Sequence, residues 1–279
     1  MNQTRISIVT PSYNQLQFIE TTLRSVKQQH YDNLEHLVMD GASTDGSVQL
    51  LERLGALPDW SHLVWRSEPD GGQSDALNKG FRSATGDVIG WLNADDLYRP
   101  GCFDAVVRAF ERYPGADVVY GDSTWIDERG TCLRIRREID FSFFILAYHR
   151  VLYIPTTSTF FRRRVFDEGY FLDPQYHYAM DYDFLLRLAQ AGYRFHHLPA
   201  LLADFRLHPA SKTRSQTPKF RREHNQITWK RSPLLNRLPP GIPLAVGTWG
   251  MRTLAAGLRY STKLIHGHYF SQYRSLASQ

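Results

Sequence analysis

Between residues 6 and 122 short apolar runs alternate with longer amphipathic ones, and this alternation restricts the chain to one class of fold. Ile6-Ser7-Ile8-Val9-Thr10 reads as a strand. Over residues 17–29, Ile19, Leu23 and Val26 recur at spacings of four and three, the period of a helix with one buried face. The pair then repeats. Residues 35–40, 63–67, 88–92 and 118–122 read as strands, and 44–54, 74–84 and 102–113 as helices. Such βαβ units predict an α/β fold, a Rossmann-like, mainly parallel sheet flanked by helices. Beyond residue 122 the pattern is less regular. Asp127-Glu128-Arg129-Gly130 reads as a hairpin turn and 141–148 as a short helix. Residues 181–192 read as a helix, with Leu185, Leu188 and Ala189 as its buried stripe and Gly192 as its stop.

In open sheets of this kind ligands bind outside the carboxyl ends of the strands. Those ends carry Thr10-Pro11-Ser12-Tyr13-Asn14, Asp40-Gly41, Glu68-Pro69-Asp70-Gly71-Gly72-Gln73 and Asn93-Ala94-Asp95-Asp96. Four polar, glycine-bearing or acidic ends predict one constructed cleft. Asp95 and Asp96 stand side by side, and two adjacent carboxylates repel. A hard divalent cation such as Mg²⁺ or Mn²⁺ offsets that repulsion and keeps positions open for substrate phosphates. The competing reading at each end is local: a turn aromatic at Tyr13, turns at Asp40-Gly41 and Gly71-Gly72, an N-cap ahead of Pro100.

The series TPSYN, DGASTDGS, DGGQSDALNKG, WLNADD and AMDYDFLLRLAQAG resembles the family 2 glycosyltransferases, inverting enzymes of the GT-A fold, from about Ile6 to His208. The order and spacing of the five motifs carry the resemblance. It implies a nucleotide-diphospho-sugar donor and a divalent ion, Mn²⁺ or Mg²⁺, across its phosphates. It places Pro11 and Tyr13 beside the nucleobase, with Asp40 accepting a hydrogen bond from the base. Gly72, Ser74 and Asp75 fall near the nucleoside and donor sugar. Asn93-Ala94-Asp95 lies on the DxD motif, whose first acid is here an amide and whose metal ligand is Asp95. Asp181 matches the general base, with an ordinary helix N-cap as the alternative, and His208 a further metal or diphosphate ligand, with a lone surface histidine as the alternative. The arginine common before the third motif's asparagine is absent; Leu77 stands before Asn78. Asp183 is expected to orient Arg187. Arg206, Lys212 and Arg214 are expected on a loop that closes over the diphosphate.

The net charge of +5 hides an asymmetry. Residues 1–204 carry 20 basic and 27 acidic side chains, and residues 205–279 carry 13 and one. An acidic body with a basic end predicts a catalytic domain, 1–208, and a basic helical extension, 209–279, with an anionic partner. In the extension Met251, Leu254, Ala255, Leu258 and Ile265 share one helical face, with Arg252, Arg259, Lys263 and His266 along its flank. That arrangement suits peripheral contact with an anionic membrane; packing on the enzyme or on a second copy is the alternative. Ahead of it, Pro239-Pro240-Gly241-Ile242-Pro243 reads as a rigid break.

Two cysteines form no disulfide framework or metal pair, no signal peptide precedes the first strand, and no run is apolar enough to span a bilayer. The expected location is cytoplasmic, at the inner face of the plasma membrane. The sequence therefore reads as a metal-dependent transferase moving sugar from a UDP-sugar to a glycan or lipid-linked glycan, in surface polysaccharide synthesis. A sugar-nucleotide nucleotidyltransferase shares such a sheet, but TPSYN stands where its glycine-rich basic loop belongs. A dehydrogenase lacks its G-x-G-x-x-G. A nucleic-acid-binding protein would use the basic end, and the acidic body speaks against it.

Overall fold

The computed structural model describes residues 3–209, 211, 218–234 and 244–268. Lys212, Arg214 and the 239–243 break lie outside them. The chain builds β1 (Ile6–Ser12), α1 (Leu16–Lys27), β2 (Leu34–Asp40), α2 (Ser47–Gly55), β3 (Leu63–Ser67), α3 (Gln73–Ser83) and β4 (Val88–Trp91). There follow β5 (Leu97–Tyr98), α4 (Cys102–Arg112), β6 (Val118–Ile126), β7 (Cys132–Arg136), α5 (Phe143–His149), β8 (Thr159–Arg162) and α6 (Arg164–Asp167). Last come α7 (Met180–Gln190), β9 (Phe195–Arg206), α8 (Pro218–Arg231) and α9 (Leu244–Ile265).

The strands form one mixed sheet in the order β3-β2-β1-β4-β8-β6-β9-β5, with β7 paired to β6. The β3-β2-β1-β4 half is parallel, as the βαβ alternation requires. β8 then enters antiparallel between β4 and β6, and β9 runs parallel to β6. The central strands are buried on both faces: every residue of β1 and β4 is covered. One core layer packs α3, α5 and α7 on one face around Val9, Leu77, Trp91, Phe161 and Phe184. Another packs α4 against Ile8, Val119 and Phe160 on the other.

Three things position the cleft. Register sets Ser12 beside Asp40 and Asp40 beside Ser67, so three strand ends finish level. Asp45 accepts from the N–H of Leu16 at 2.9 Å and of Ser47 at 3.0 Å, which ties the start of α1 to that of α2. β9 is long enough, at 12 residues, to pass β6 and pair with β5 through Asp204 and Ala203, which carries its end to the Asp95 loop. β8 and β9 are not legible as strands in the sequence. β8 has only four residues, and β9 contains Pro199, where its register against β6 shifts.

Candidate active site

The adjacent carboxylates at the end of β4 part company. Asp96 turns inward and is fully buried. It accepts from the N–H of Arg206 at 2.9 Å, the hydroxyl of Thr157 at 2.9 Å and the amide of Asn93 at 3.0 Å. Burial, then the neighbouring Asp95 charge, push its carboxyl well above the usual carboxylate range. Asp95 turns the other way, part-exposed, and its Oδ2 lies 2.9 Å from Nε2 of His208. Residues 113 positions apart thus meet because β9 delivers one to the loop that carries the other. Phe18 packs its ring 4.8 Å from that of His208.

Asn93 has a local reason to be an amide. Its Oδ1 accepts from Gln73 and from the Trp91 indole, each at 2.9 Å, while its Nδ2 donates to Asp96. An aspartate here would set two carboxylates against each other in a covered site. Ala94 is buried, and its carbonyl accepts from Thr22.

Arg206 is not on a mobile loop, contrary to expectation. It ends β9, is 4% exposed, and donates to the carbonyls of Asp95 at 2.8 Å, Asp127 at 3.1 Å and Glu128 at 2.9 Å. A guanidinium offers five donors in a planar fork, so it locks three carbonyls of two loops together. Its role is to hold Asp95, not to swing over a ligand.

At the β1 and β2 ends, Pro11 is buried and Tyr13 is 64% exposed. Asp40 is buried; it accepts from the N–H of Ser43 at 2.9 Å, its hydroxyl at 2.6 Å and the Ser67 hydroxyl at 2.7 Å. Asn14 and Ala42 both take positive φ here, conformations that disfavour residues with a Cβ. They are stitched across the gap, Asn14 N–H to Ser43 Oγ at 2.7 Å and Thr44 N–H to Asn14 Oδ1 at 2.9 Å. Strain held by such bonds is a common mark of a binding edge. Gly41 lets two side chains close in: a Cβ there would come 2.7 Å from the Asp70 carboxylate and 3.3 Å from the Tyr13 ring, and both would have to shift. Tyr13, Gly41 and Asp70 therefore form one surface.

Gly72 precedes α3 at φ 103 and donates to Asp70 at 2.7 Å. Asp75 accepts from Gly71 at 3.0 Å and pairs with Lys79 at 3.2 Å, and Lys79 also meets Glu68 at 3.0 Å. Ser74 is buried, its hydroxyl 2.8 Å from Met180 Sδ and 3.3 Å from the carbonyl of Tyr176. Asn78 exchanges two hydrogen bonds, each 2.9 Å, with the backbone of Leu172. These contacts fix the start of α7 against the start of α3. Asp181 follows Met180, the residue of α7 that Ser74 contacts.

Asp181 lies in the first turn of α7 and accepts from the N–H of Tyr182 at 2.7 Å. It holds that first-turn amide from inside the helix and not from the N-cap position. The N-cap position is Ala179, and the amides ahead of it are taken by Glu223 of α8. Asp183 is fully buried between Arg187 at 2.7 Å, as expected, and Arg231 at 2.9 Å. Thr157 and Glu223 are site neighbours outside the motifs, and Asp70, Asp96 and Gln73 lie within them without a place among the expected ligands. Asp96, Thr157 and Glu223 depend on partners distant in sequence. Among the described residues no three His, Cys, Asp or Glu side chains gather as a ready-made cation site. Asp95 and His208 are two.

The family model of Glycosyl transferase family 2 matches residues 7–170. This chain belongs to glycosyltransferase family 2. An uncharacterized glycosyltransferase of Mycobacterium tuberculosis is 35% identical over 191 residues, covering 66% of this chain and 68% of that protein. The O-antigen biosynthesis protein RfbC of Myxococcus xanthus is 32% identical over 126 residues, 45% of this chain and 10% of that one. Among solved structures, S. aureus TarS 1-349 in complex with UDP-GlcNAc superposes with a TM-score of 0.67 at 18% identity, over 84% of this chain and 68% of that one. The mannosyltransferase PcManGT of Pyrobaculum calidifontis, in complex with GDP-Man and Mn²⁺, gives 0.63 at 19% identity, over 100% and 83%. At these identities the likeness is one of fold. The transferase has the GT-A-like architecture, a curled mixed sheet flanked by helices.

The extension of the transferase departs from expectation in one respect. Arg259 and Lys263 of α9, expected to face lipid, are 7% and 6% exposed. With Arg136 they surround the fully buried Glu138, each at 2.9 Å. Burial raises the Glu138 carboxyl, but the three cations outweigh it and hold it below its usual range. The same burial lowers the Lys263 ammonium to about 8.

Proposed function

We propose that this glycosyltransferase moves a sugar, with inversion, from a UDP-sugar to a hydroxyl of a glycan or lipid-linked glycan in surface polysaccharide synthesis. The observation that carries the reading is the pairing of Asp95 with His208 at the sheet edge where Tyr13, Asp40 and Gly41 also end. Membership of family 2 decides for glycosyl over nucleotidyl transfer. The UDP-GlcNAc complex of TarS supports a uridine donor, the GDP-Man and Mn²⁺ complex of PcManGT supports a divalent ion, and RfbC supports the pathway class.

In this reading Tyr13 and Gly41 offer a flat surface to the base, and Asp40 keeps lone pairs for an imide N–H beside its serine partners. Gly72, Ser74 and Asp75 shape the ribose and sugar end. Asn93 holds Asp96 and the Trp91 ring, and Ala94 keeps the turn tight, so that Asp95 alone projects. A part-exposed carboxylate and a buried imidazole fit Mn²⁺ or Mg²⁺, with phosphate and water oxygens completing the set. Bound there, the ion would neutralise charge on the diphosphate. Asp181 takes the proton of the acceptor hydroxyl as it attacks the anomeric carbon, opposite the leaving diphosphate.

We assign 1–208 as the nucleotide-sugar-binding and catalytic unit and 209–279 as a basic extension. Among the described residues no helix is long and apolar enough to cross a membrane. Peripheral contact with an anionic membrane at the inner face is instead supported by the outer side of α9. Trp249, Leu254, Leu258, Leu264 and Ile265 there are 47–81% exposed.

A thermal-shift screen of nucleoside diphosphates and nucleotide sugars, with and without Mn²⁺, tests the donor and the ion together, because a ligand stabilises by mass action. UDP-sugars with Mn²⁺ should give the largest shift. Asp95→Ala should keep the resting Tm within a few degrees and abolish the Mn²⁺-dependent part. An unchanged Mn²⁺ response in that variant places the ion elsewhere.

A further inference from the structure

The last 75 residues contain a single carboxylate, and the fold spends it on the backbone just ahead of Asp181. Glu223 of α8 accepts three consecutive main-chain N–H groups: His177 at 3.1 Å, Tyr178 at 2.7 Å and Ala179 at 3.0 Å. Successive amides turned to one point make a concavity for an anion, and here the anion is a side chain. α7 has no cap of its own, since Ala179 carries no acceptor. The amides that lead into it, and its positive dipole end, therefore face a carboxylate from another helix. The rest of α8 follows α7 along its length. The His224 ring stacks on Tyr182 at 4.3 Å, Arg231 reaches Asp183 at 2.9 Å, and Gln190 donates to the carbonyl of Arg231 at 2.6 Å.

We infer that Glu223 is a positioning residue for glycosyl transfer, fixing the 177–179 loop so that the first turn of α7 presents Asp181 to the acceptor hydroxyl. The inference rests on the assignment of Asp181 as base. Its consequence is that α8, although beyond the family motifs and part of a strongly basic segment, belongs to the catalytic unit. The physical argument is one of leverage. Asp181 is two residues beyond Ala179, and the 177–179 loop spans the stretch between Tyr176 and Met180, the two residues that Ser74 contacts. If the three charge-assisted bonds are removed, the loop relaxes and the carboxylate moves. A displacement of about 1 Å in a reacting group costs on the order of a hundredfold in rate.

The test uses the full chain. In Glu223→Ala, hydrogen exchange should speed up at the amides of 177–179, with the sheet unchanged. Turnover of the nucleotide sugar that gives the largest thermal shift, followed as nucleotide release with Mn²⁺, should lose about tenfold to a hundredfold in kcat, with donor KM within about twofold. Glu223→Gln, which keeps one acceptor oxygen, should recover part of both, and it serves if the alanine variant folds poorly. Arg222→Ala, exposed on the same helix, should change neither. Unaltered exchange at 177–179, an unaltered kcat, or an equal loss in Arg222→Ala overturns the inference. Asp181→Asn is run beside them. If it turns over like wild type, the assignment of the base fails, which is distinguishable from a failure at Glu223 because the exchange readout does not involve Asp181.

Discussion

Asp95 and Asp96 are neighbours in sequence with opposite fates, and the difference is one of partners. Three donors converge on Asp96 inside the protein, whereas Asp95 is part-exposed and meets one buried imidazole. Asp181 is not at the N-cap position of α7, which is Ala179, but it does hold one first-turn amide, that of Tyr182, so its roles are separated by a substitution that keeps this bond. Asp181→Asn, nearly isosteric and able to keep the Tyr182 contact, should therefore bind donor as before and lose about 10²–10⁴ in transfer rate. Isothermal calorimetry for the donor beside single-turnover rates checks both halves. Retention of more than about a tenth of the rate, with chemistry limiting, would demote Asp181.

At the scale of elements, α9 is turned inside out relative to an ordinary surface helix. Arg259 and Lys263 point inward to Glu138 and Ala255 is packed in the core, while Arg252 is exposed. Outward, from Trp249 to Ile265, stand Leu254, Leu258, Tyr260 and Leu264. A buried carboxylate with three cations explains how cations stay inside: removing one member of such a set leaves uncompensated charge, typically about 3–5 kcal/mol. An exposed apolar stripe marks an interaction surface. On α8 Lys219, Arg221, Arg222 and Lys230 are exposed and supply the charge that α9 withholds. The full chain should sediment with anionic vesicles at low salt, through burial of that stripe and about 1 kcal/mol per nearby cation. A Leu258→Asp, Ile265→Asp variant should stay in the supernatant with its donor thermal shift intact. Wild-type protein that ignores anionic vesicles ends the membrane reading.

For the whole molecule, acid is the condition that strains the assembly. Burial, then His62 beside it, takes His36 of β2 down to about 3. Burial, then Arg150, takes His224 of α8 down to about 4. A histidine whose folded pKa lies below its unfolded value of about 6.5 contributes stability that is complete above about pH 6.5. That contribution is lost as pH falls towards the folded value, by up to about 1.4 kcal/mol per pH unit for each group. Asp96, raised by burial, works in the opposite sense, so the clean quantity is a difference between variants. His224→Phe, which keeps the stack on Tyr182, should lose less Tm than wild type between pH 6.5 and 4. Equal losses would mean that His224 is protonated in the fold.

The sequence by itself determined the parallel half of the sheet, because apolar period and turn residues are local properties and β1 to β4 obey them. It determined the strand ends and therefore the family. It also marked Asp95, His208 and Asp181 as separate candidates. Tertiary structure decided what those residues face. Two strands invisible to periodicity, β8 through brevity and β9 through Pro199, assemble the second half of the sheet and carry His208 to Asp95. The inward turn of Asp96, the locking of Arg206, the burial of Arg259 and Lys263, and the seat of Glu223 share one cause. Each is set by a partner between 44 and 125 residues away, and side chains find such partners through packing and electrostatics that no local window contains.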